Sequence, residues 1–188
     1  MNQTQSSTIS RSKTYEITIT ALMTAVTCIL APMSIPIGPV PISFTNLAIY
    51  LSLYLLGWKK GTISYLIYLL IGLVGIPVFS GFTSGPGKLF GPTGGYLIGF
   101  IPLALIAGYF INHFHNKKVL SFLGMILGTA VCYALGTTWL AIQAHMGFQA
   151  ALMAGVVPFL AGDFIKMILA LLIAPQIRKQ LDAAGLAR

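Results

Sequence analysis

The chain has 188 residues, 56% of them apolar and 7% charged, against about 25% charged in a soluble globular domain. That balance rules out a disordered chain and argues against a water-soluble enzyme, because too few charges exist to cover a surface facing water. Its 11 Lys and Arg against 3 Asp and Glu give a net charge of +8, an excess whose meaning depends on where the positives lie.

Residues 1–14 are polar, and the apolar run behind them lacks an A-x-A cleavage site, so 16–33 is expected to be a retained first span. A second apolar segment, 43–57, stops at Gly57-Trp58-Lys59-Lys60-Gly61, and a third, 61–76, ends at Pro77. A Gly-rich loop follows. The fourth segment covers 94–112, the fifth 119–142 and the sixth 150–177, ending before Arg178-Lys179. A membrane helix needs about 20 apolar residues. The second and third are short by that measure and must extend into their flanks or be shielded by neighbours. The expected architecture is an all-α integral membrane protein: a six-helix transmembrane domain over 16–177, flanked by segments 1–15 and 178–188.

Charge placement orients these spans. With the N-terminus inside, Arg11, Lys13, Lys59, Lys60, Lys117, Lys118, Arg178, Lys179 and Arg188 all fall on the inner side, and Lys88 alone falls outside. Such a bias places both termini in the cytoplasm and accounts for the basic excess. No basic stripe with interleaved aromatics exists outside the spans, so nucleic acid is not an expected partner. Cys28 and Cys132 lie within apolar runs and are expected to be free thiols. His113 and His115 flank an inner loop and are expected at the membrane interface.

Small residues recur four apart in Ala21-x-x-x-Ala25, Gly95-x-x-x-Gly99, Ala104-x-x-x-Gly108 and Gly124-x-x-x-Gly128. This spacing lines a helix face with little bulk, so another helix can approach closely.

Ionisable groups almost vanish inside the spans. Residues 119–162 carry no charge, and then Asp163 and Lys166 appear together in GVVPFLAGDFIKMILA. At 1.5 Å per residue, Asp163 sits roughly 15–20 Å down the sixth span, near mid-membrane. Each charge there costs about 2.5–3.5 kcal/mol. Their i, i+3 spacing puts both on one face, where they offset one another. Two readings stand: an ion pair that only fixes helix packing, or a functional site, the better default for intramembrane charge. Asp accepts and Lys donates, so an amide, a ureido ring or an amino acid would engage both. Pro158 and Gly162 could loosen this helix to admit a ligand.

The Gly-rich loop around Gly91-Pro92-Thr93-Gly94-Gly95-Tyr96 is either a connection or a lid whose N–H groups face a ligand. It is no P-loop, because Phe82 and Leu89 stand where that motif needs Gly and Ser or Thr. In IPIGPVPISFTN, Thr45 and Asn46 beside Phe44 suit either helix capping or a polar headgroup. Metalloprotease and serine-hydrolase signatures are absent, and no facing nucleophile and base support an intramembrane enzyme.

GPTGGYLIGF together with GVVPFLAGDFIKMILA resembles the BioY family, as do GPVPISF before span two and Tyr133, Gly136 and Trp139 in span five. The likeness runs from the first span to Pro175. It differs at Thr45-Asn46, where the family more commonly has Gln-Thr. The resemblance implies the S-component fold and a biotin-specific substrate-binding subunit of an energy-coupling-factor (ECF) transporter. Such a subunit has no cofactor; biotin is its transported ligand. Its partners would be a transmembrane coupling protein and two cytoplasmic ATPases. It also implies a biotin site of Asp163, Lys166, Thr45, Asn46, Phe44, Thr93, Gly94, Gly95 and Tyr96, and a coupling-protein face at Ala21 and Ala25. The alternative is a stand-alone ion-coupled permease, which would take up biotin or another small polar metabolite without any ATPase.

Overall fold

The structure, a computed structural model, describes residues 3–114 and 117–183, with backbone alone for 3–12 and 182. The Arg11 side chain, His115, Arg188 and the ends of the two flanking segments lie outside the described residues. In chain order the elements are α1 (Gln3–Leu30), β1 (Ser34–Ile35), β2 (Ile42–Ser43), α2 (Thr45–Leu73), α3 (Pro86–Leu89), α4 (Gly94–His113), α5 (Lys118–Gln143), α6 (Phe148–Gly155) and α7 (Val157–Ala183). Gly94–His113, Lys118–Gln143 and Phe148–Leu181 are long and apolar enough to cross a membrane on length and composition alone.

The remaining passes are α1 and the two halves of α2. α1 is rich in threonine, and hydroxyls in a bilayer must find partners within the protein. Thr18, Thr20, Thr24 and Thr27 each donate to the carbonyl four residues back, at 2.7–2.9 Å. Thr24 Oγ1 also lies 2.9 Å from Ser64 Oγ, joining α1 to the second half of α2.

α2 is a helical hairpin rather than one rod. Gly57 has φ +77° and ψ 171°, a conformation open to glycine and strained for other residues. Behind it the chain folds back so tightly that a Cβ on Gly61 would stand 3.1 Å from Leu53 Cα. In a straight helix those residues would be about 12 Å apart. The second and third apolar segments are therefore separate passes. Their connection is shorter than expected, because Trp58, Lys59 and Lys60 are already helical.

The small-residue motifs sort by what they touch. Gly95 backs onto Trp139 and Gly99 onto Cys132; in return Gly124 receives Phe110, Gly128 receives Leu103 and Gly136 receives the Tyr96 ring. α4 and α5 thus approach along glycines from both sides. Gly108 instead admits Leu53 and Trp58 of α2. Inside the bundle, Tyr50, Tyr65, Tyr68 and Phe79 are buried, with Tyr68 edge-on to Phe79 at 5.6 Å. Leu22, Ile29, Leu70, Leu127 and Leu172 are exposed on the outward faces, as a lipid-facing surface requires.

Among the described residues, the basic side chains other than Lys88 and Lys166 gather at one end. Lys60 pairs with Glu16 at 2.6 Å, Arg178 Nη1 donates to the Tyr54 carbonyl at 3.2 Å, and Gly57 lies against Asn112. The opposite end carries the β1–β2 hairpin, paired Ser34 to Ser43 and Ile35 to Ile42, and the 74–93 loop. That loop is tied down: Gly81 N–H donates to Pro32 O at 3.0 Å, Gly85 N–H to Gly72 O at 2.7 Å and Trp139 Nε1–H to Gly91 O at 2.9 Å.

The sixth apolar segment is not one helix. It breaks at Val156 (φ −126°, ψ −56°), between α6 and α7. The break precedes Pro158, which then lies in the first turn of α7, where its missing N–H has no helical partner to lose.

A Cβ at Gly99 would stand 3.1 Å from the Cys132 carbonyl oxygen and 3.2 Å from its Cα, whereas nothing lies within 4 Å of one at Gly162. Gly99→Leu is expected to destabilise the detergent-solubilised protein by about 1–3 kcal/mol through overpacking. Gly162→Ala should be neutral or stabilising by up to about 1 kcal/mol through helix propensity. Thermal unfolding of the two variants checks both.

Candidate ligand site around a buried Asp–Lys pair

The helix that starts at Val157 carries Asp163 and Lys166 inward one turn apart, 7% and 6% exposed. Lys166 Nζ lies 3.0 Å from Asp163 Oδ1 and also donates to the Ser43 backbone carbonyl at 2.6 Å. The second carboxylate oxygen, Oδ2, accepts the Tyr133 hydroxyl of α5 at 2.6 Å. The pair therefore ties three separate elements together: α7, α5 and strand β2. Both carboxylate oxygens and two of the three ammonium protons have protein partners, as burial of charge demands.

A small cavity of about 60 Å³ lies beside the pair, and Asp163, Lys166, Thr45, Asn46, Thr93 and Tyr96 all line it. These six expected site residues come from three parts of the chain, 45–46, 93–96 and 163–166, and converge. Around them, Ser43 Oγ and Thr45 Oγ1 are 2.8 Å apart, Asn46 Oδ1 accepts Leu47 N–H at 3.0 Å, and Tyr96 Oη lies 3.3 Å from Thr137 Oγ1. Neither Thr45 nor Asn46 is the N-cap of α2. That position is Phe44, and it makes no side-chain cap bond.

The other three expected residues are not on the cavity wall. Phe44 is 40% exposed, with Lys166 Nζ 5.9 Å from its ring centroid, within range of a cation–π contact. Gly94 and Gly95 sit behind the wall, where a Cβ would strike the Leu89 carbonyl and Trp139 respectively. They act by letting the loop and α4 pack closely. Lys88 is half-buried on α3, and desolvation pulls its ammonium below the usual lysine range.

The wall also holds residues that were not among the expected site residues, including Ser43, Ser80, Thr129, Phe159 and Tyr133, the last noted in sequence only as part of the family pattern. Thr129, Tyr133 and Thr137 follow one another at four-residue spacing on α5, a polar stripe that could have been read. The Ser43 carbonyl could not, because a backbone group leaves no mark in sequence. Among the described residues no cluster of His, Cys, Asp or Glu could hold a metal ion, and both cysteines are free. What the cavity offers is a carboxylate and an ammonium, both largely buried, with a tyrosine beside them.

Fold and site together define an all-α integral membrane protein with a polar chamber toward the hairpin end of its bundle. The BioY family model matches residues 1–183, and the chain belongs to the BioY family. Biotin transporter BioY2 of Lactococcus lactis subsp. cremoris (strain MG1363) is 37% identical over 157 residues, covering 84% of this chain and 86% of that protein. Biotin transporter BioY of Thermotoga maritima (strain ATCC 43589 / DSM 3109 / JCM 10099 / NBRC 100826 / MSB8) is 39% identical over 158 residues, 84% of this chain and 92% of that one. Among solved structures, the crystal structure of the S-component for biotin from an ECF-type ABC transporter superposes with a TM-score of 0.82 at 33% identity, covering 95% of each chain. The S-component fold expected from the motifs is thus the fold observed, and these relatives are transporters rather than enzymes.

Removing one member of a buried ion pair strands the other charge, whereas replacing both can be nearly neutral. Lys166→Met is therefore expected to destabilise the protein by about 3–5 kcal/mol. The double variant Asp163→Asn/Lys166→Met should regain most of that loss. Thermal unfolding of the ligand-free proteins in detergent, run side by side, checks the difference.

Proposed function

We propose that this chain is the biotin-capturing subunit of an ECF transporter. The observation that carries the reading is the Asp163–Lys166 pair, buried beside a small cavity and bonded to both Tyr133 and Ser43. Biotin presents two N–H donors and a carbonyl on one ureido edge. In this reading Asp163 accepts from a ureido N–H, and Lys166 donates toward the carbonyl or holds Asp163 ionised. Charge-assisted bonds in a dry site are strong and selective. Tyr96 and Phe44 flank the thiophane ring, Thr45, Asn46 and Thr93 supply hydrogen bonds, and Gly94 and Gly95 support the wall.

About 60 Å³ of free space holds a few waters, not a bicyclic vitamin with a valerate tail. Binding therefore requires the wall to yield. The hairpin and the 74–93 loop supply Ser43, Ser80 and Thr93 to that wall and are the parts that would move and then close over the tail. The positive-inside rule places the basic end, with both termini, in the cytoplasm and the hairpin end outside, facing the vitamin.

Energy would come from partners, since the chain has no P-loop. Ala21 and Ala25 line an apolar groove of about 710 Å³ between α1 and the second half of α2, walled by Ile63, Ile67 and Ile71. The Glu16–Lys60 pair stands at its basic end. Small residues on its floor and apolar walls open to lipid suit a helix of a membrane-embedded coupling protein, which two ATPases would drive.

Two measurements test this reading. In biotin titrations, Asp163→Asn and Lys166→Met are each expected to weaken binding roughly 10–150-fold, the loss of one hydrogen bond to a charged group. Near-wild-type affinity in both would sink the site assignment. Separately, Ala25→Trp should abolish co-purification with the coupling protein and ATPases while leaving biotin affinity unchanged. Retention of the complex would refute the docking face.

A further inference from the structure

The second half of α2 stands between the small cavity and the apolar groove. Its Ile63, Ile67 and Ile71 line the groove. From the opposite side Tyr65 donates to the Leu97 carbonyl at 2.7 Å and meets the Phe100 ring edge-on at 6.0 Å. Leu97 and Phe100 both line the cavity. The chain leaving this helix continues the partition: Ile76 and Val78 line the groove, and Ser80 lines the cavity. Residues 76–80 thus border both spaces.

Phe79 sits at the middle of that border. It is fully buried, its ring lying where a Cβ on Gly72 would stand and edge-on to Tyr68 at 5.6 Å. Tyr68 in turn lies 5.5 Å from Tyr65, so a row of rings leads from Phe79 to the partners of Tyr65 on the cavity wall. Packing alone holds the Phe79 ring. The Tyr68 hydroxyl has no hydrogen-bond partner, and among the described residues the hydrogen bonds of 77–80 stay within their own loop. Phe79 N–H donates to Thr83 O at 3.0 Å and Thr83 N–H donates to Phe79 O at 3.3 Å. These bonds close 79–83 into one turn, so a push on Ser80 reaches Phe79 and Val78. About 60 Å³ of free space is too little for biotin, and the wall that carries Ser80 must shift to admit it. A ring in a close-packed interior does not yield by degrees; it keeps its seat or leaves it.

We propose that Phe79 is a positioning residue: seated over Gly72, it holds 76–80 as a wall common to cavity and groove, and through it biotin in the cavity changes the affinity of the groove for the coupling protein. The inference rests on the biotin and coupling-protein readings given above and deepens them. Linkage makes the effect reciprocal, so docking changes biotin affinity by the same factor.

The test is binding of the purified full-length protein, in nanodiscs and without nucleotide, to the purified complex of coupling protein and ATPases, measured with and without saturating biotin. For wild-type protein the two affinities should differ about 5–150-fold, the usual range of coupling between sites. Phe79→Ala should bring their ratio close to one. A merely structural phenylalanine would lower both affinities and leave the ratio intact. A retained ratio in Phe79→Ala, or a ratio of one in wild-type protein, overturns the proposal. Gly72→Ala, which puts a methyl group in the seat of the ring and alters neither wall, should collapse the ratio in the same way. Phe82→Ala, exposed in the same loop, should keep it. Ring-fluorinated phenylalanine at 79 decides the matter even if Phe79→Ala does not fold. Its fluorine resonance should shift on saturation with biotin and, in a separate sample without biotin, on addition of the complex. Absence of either shift overturns the proposal. If wild-type protein binds no biotin or no complex, the functional reading falls as well. If it binds both and each is indifferent to the other, only this inference falls.

Discussion

A charge buried largely away from water must be answered by the protein itself, and this constraint organises the bundle around Asp163 and Lys166. Each ion alone would be costly at mid-membrane. Together they still leave lone pairs and protons to satisfy, and the protein supplies a phenol from α5 and a backbone carbonyl from β2. Those partners arrive only if α5, α7 and the hairpin stand in one arrangement. The same bonds that make burial tolerable therefore set the relative positions of three elements and shape one wall of the cavity.

Close approach of helices is the second requirement, and small residues meet it. Gly95 and Gly99 on α4 receive Trp139 and Cys132 of α5, while Gly128 and Gly136 on α5 receive Leu103 and Tyr96 of α4, so the two helices interlock. This contact holds Tyr96 and Tyr133 on adjacent elements of the same cavity. The reversal at Gly57 lets 45–56 and 58–73 run side by side, which puts Thr45 and Asn46 at the far end from Lys60. In the membrane, where lipid is as apolar as leucine, such packing replaces the hydrophobic drive that would assemble a soluble core.

The mixed fate of the four-residue spacings shows why a motif does not name its own partner. Gly95-x-x-x-Gly99 and Gly124-x-x-x-Gly128 meet each other's helices, Gly108 takes α2, and Ala21 and Ala25 face an open groove. All four look alike in sequence because the spacing specifies only a smooth face. Which surface lies against it depends on the order and tilt of the helices. Gly94 and Gly95 illustrate the same point. Their place in a ligand-like motif suggested contact with a ligand, yet their absent Cβ atoms make room for Leu89 and Trp139 instead.

The amino-acid sequence alone determined the number of passes, the asymmetric placement of basic residues and the pairing of Asp163 with Lys166. Hydropathy, charge count and i, i+3 spacing are local properties, and the membrane makes them decisive. The hairpin turn at Gly57 and the break at Val156 were only partly legible, since glycine and proline mark where a helix can fail but not which residue bends. Tertiary structure decided the rest. Tyr133, thirty residues from Asp163 in the chain, and the Ser43 carbonyl, more than a hundred from Lys166, become partners only through packing. A hydrogen bond depends on distances of a few tenths of an ångström between elements, and no pattern of residue types along one element contains that information.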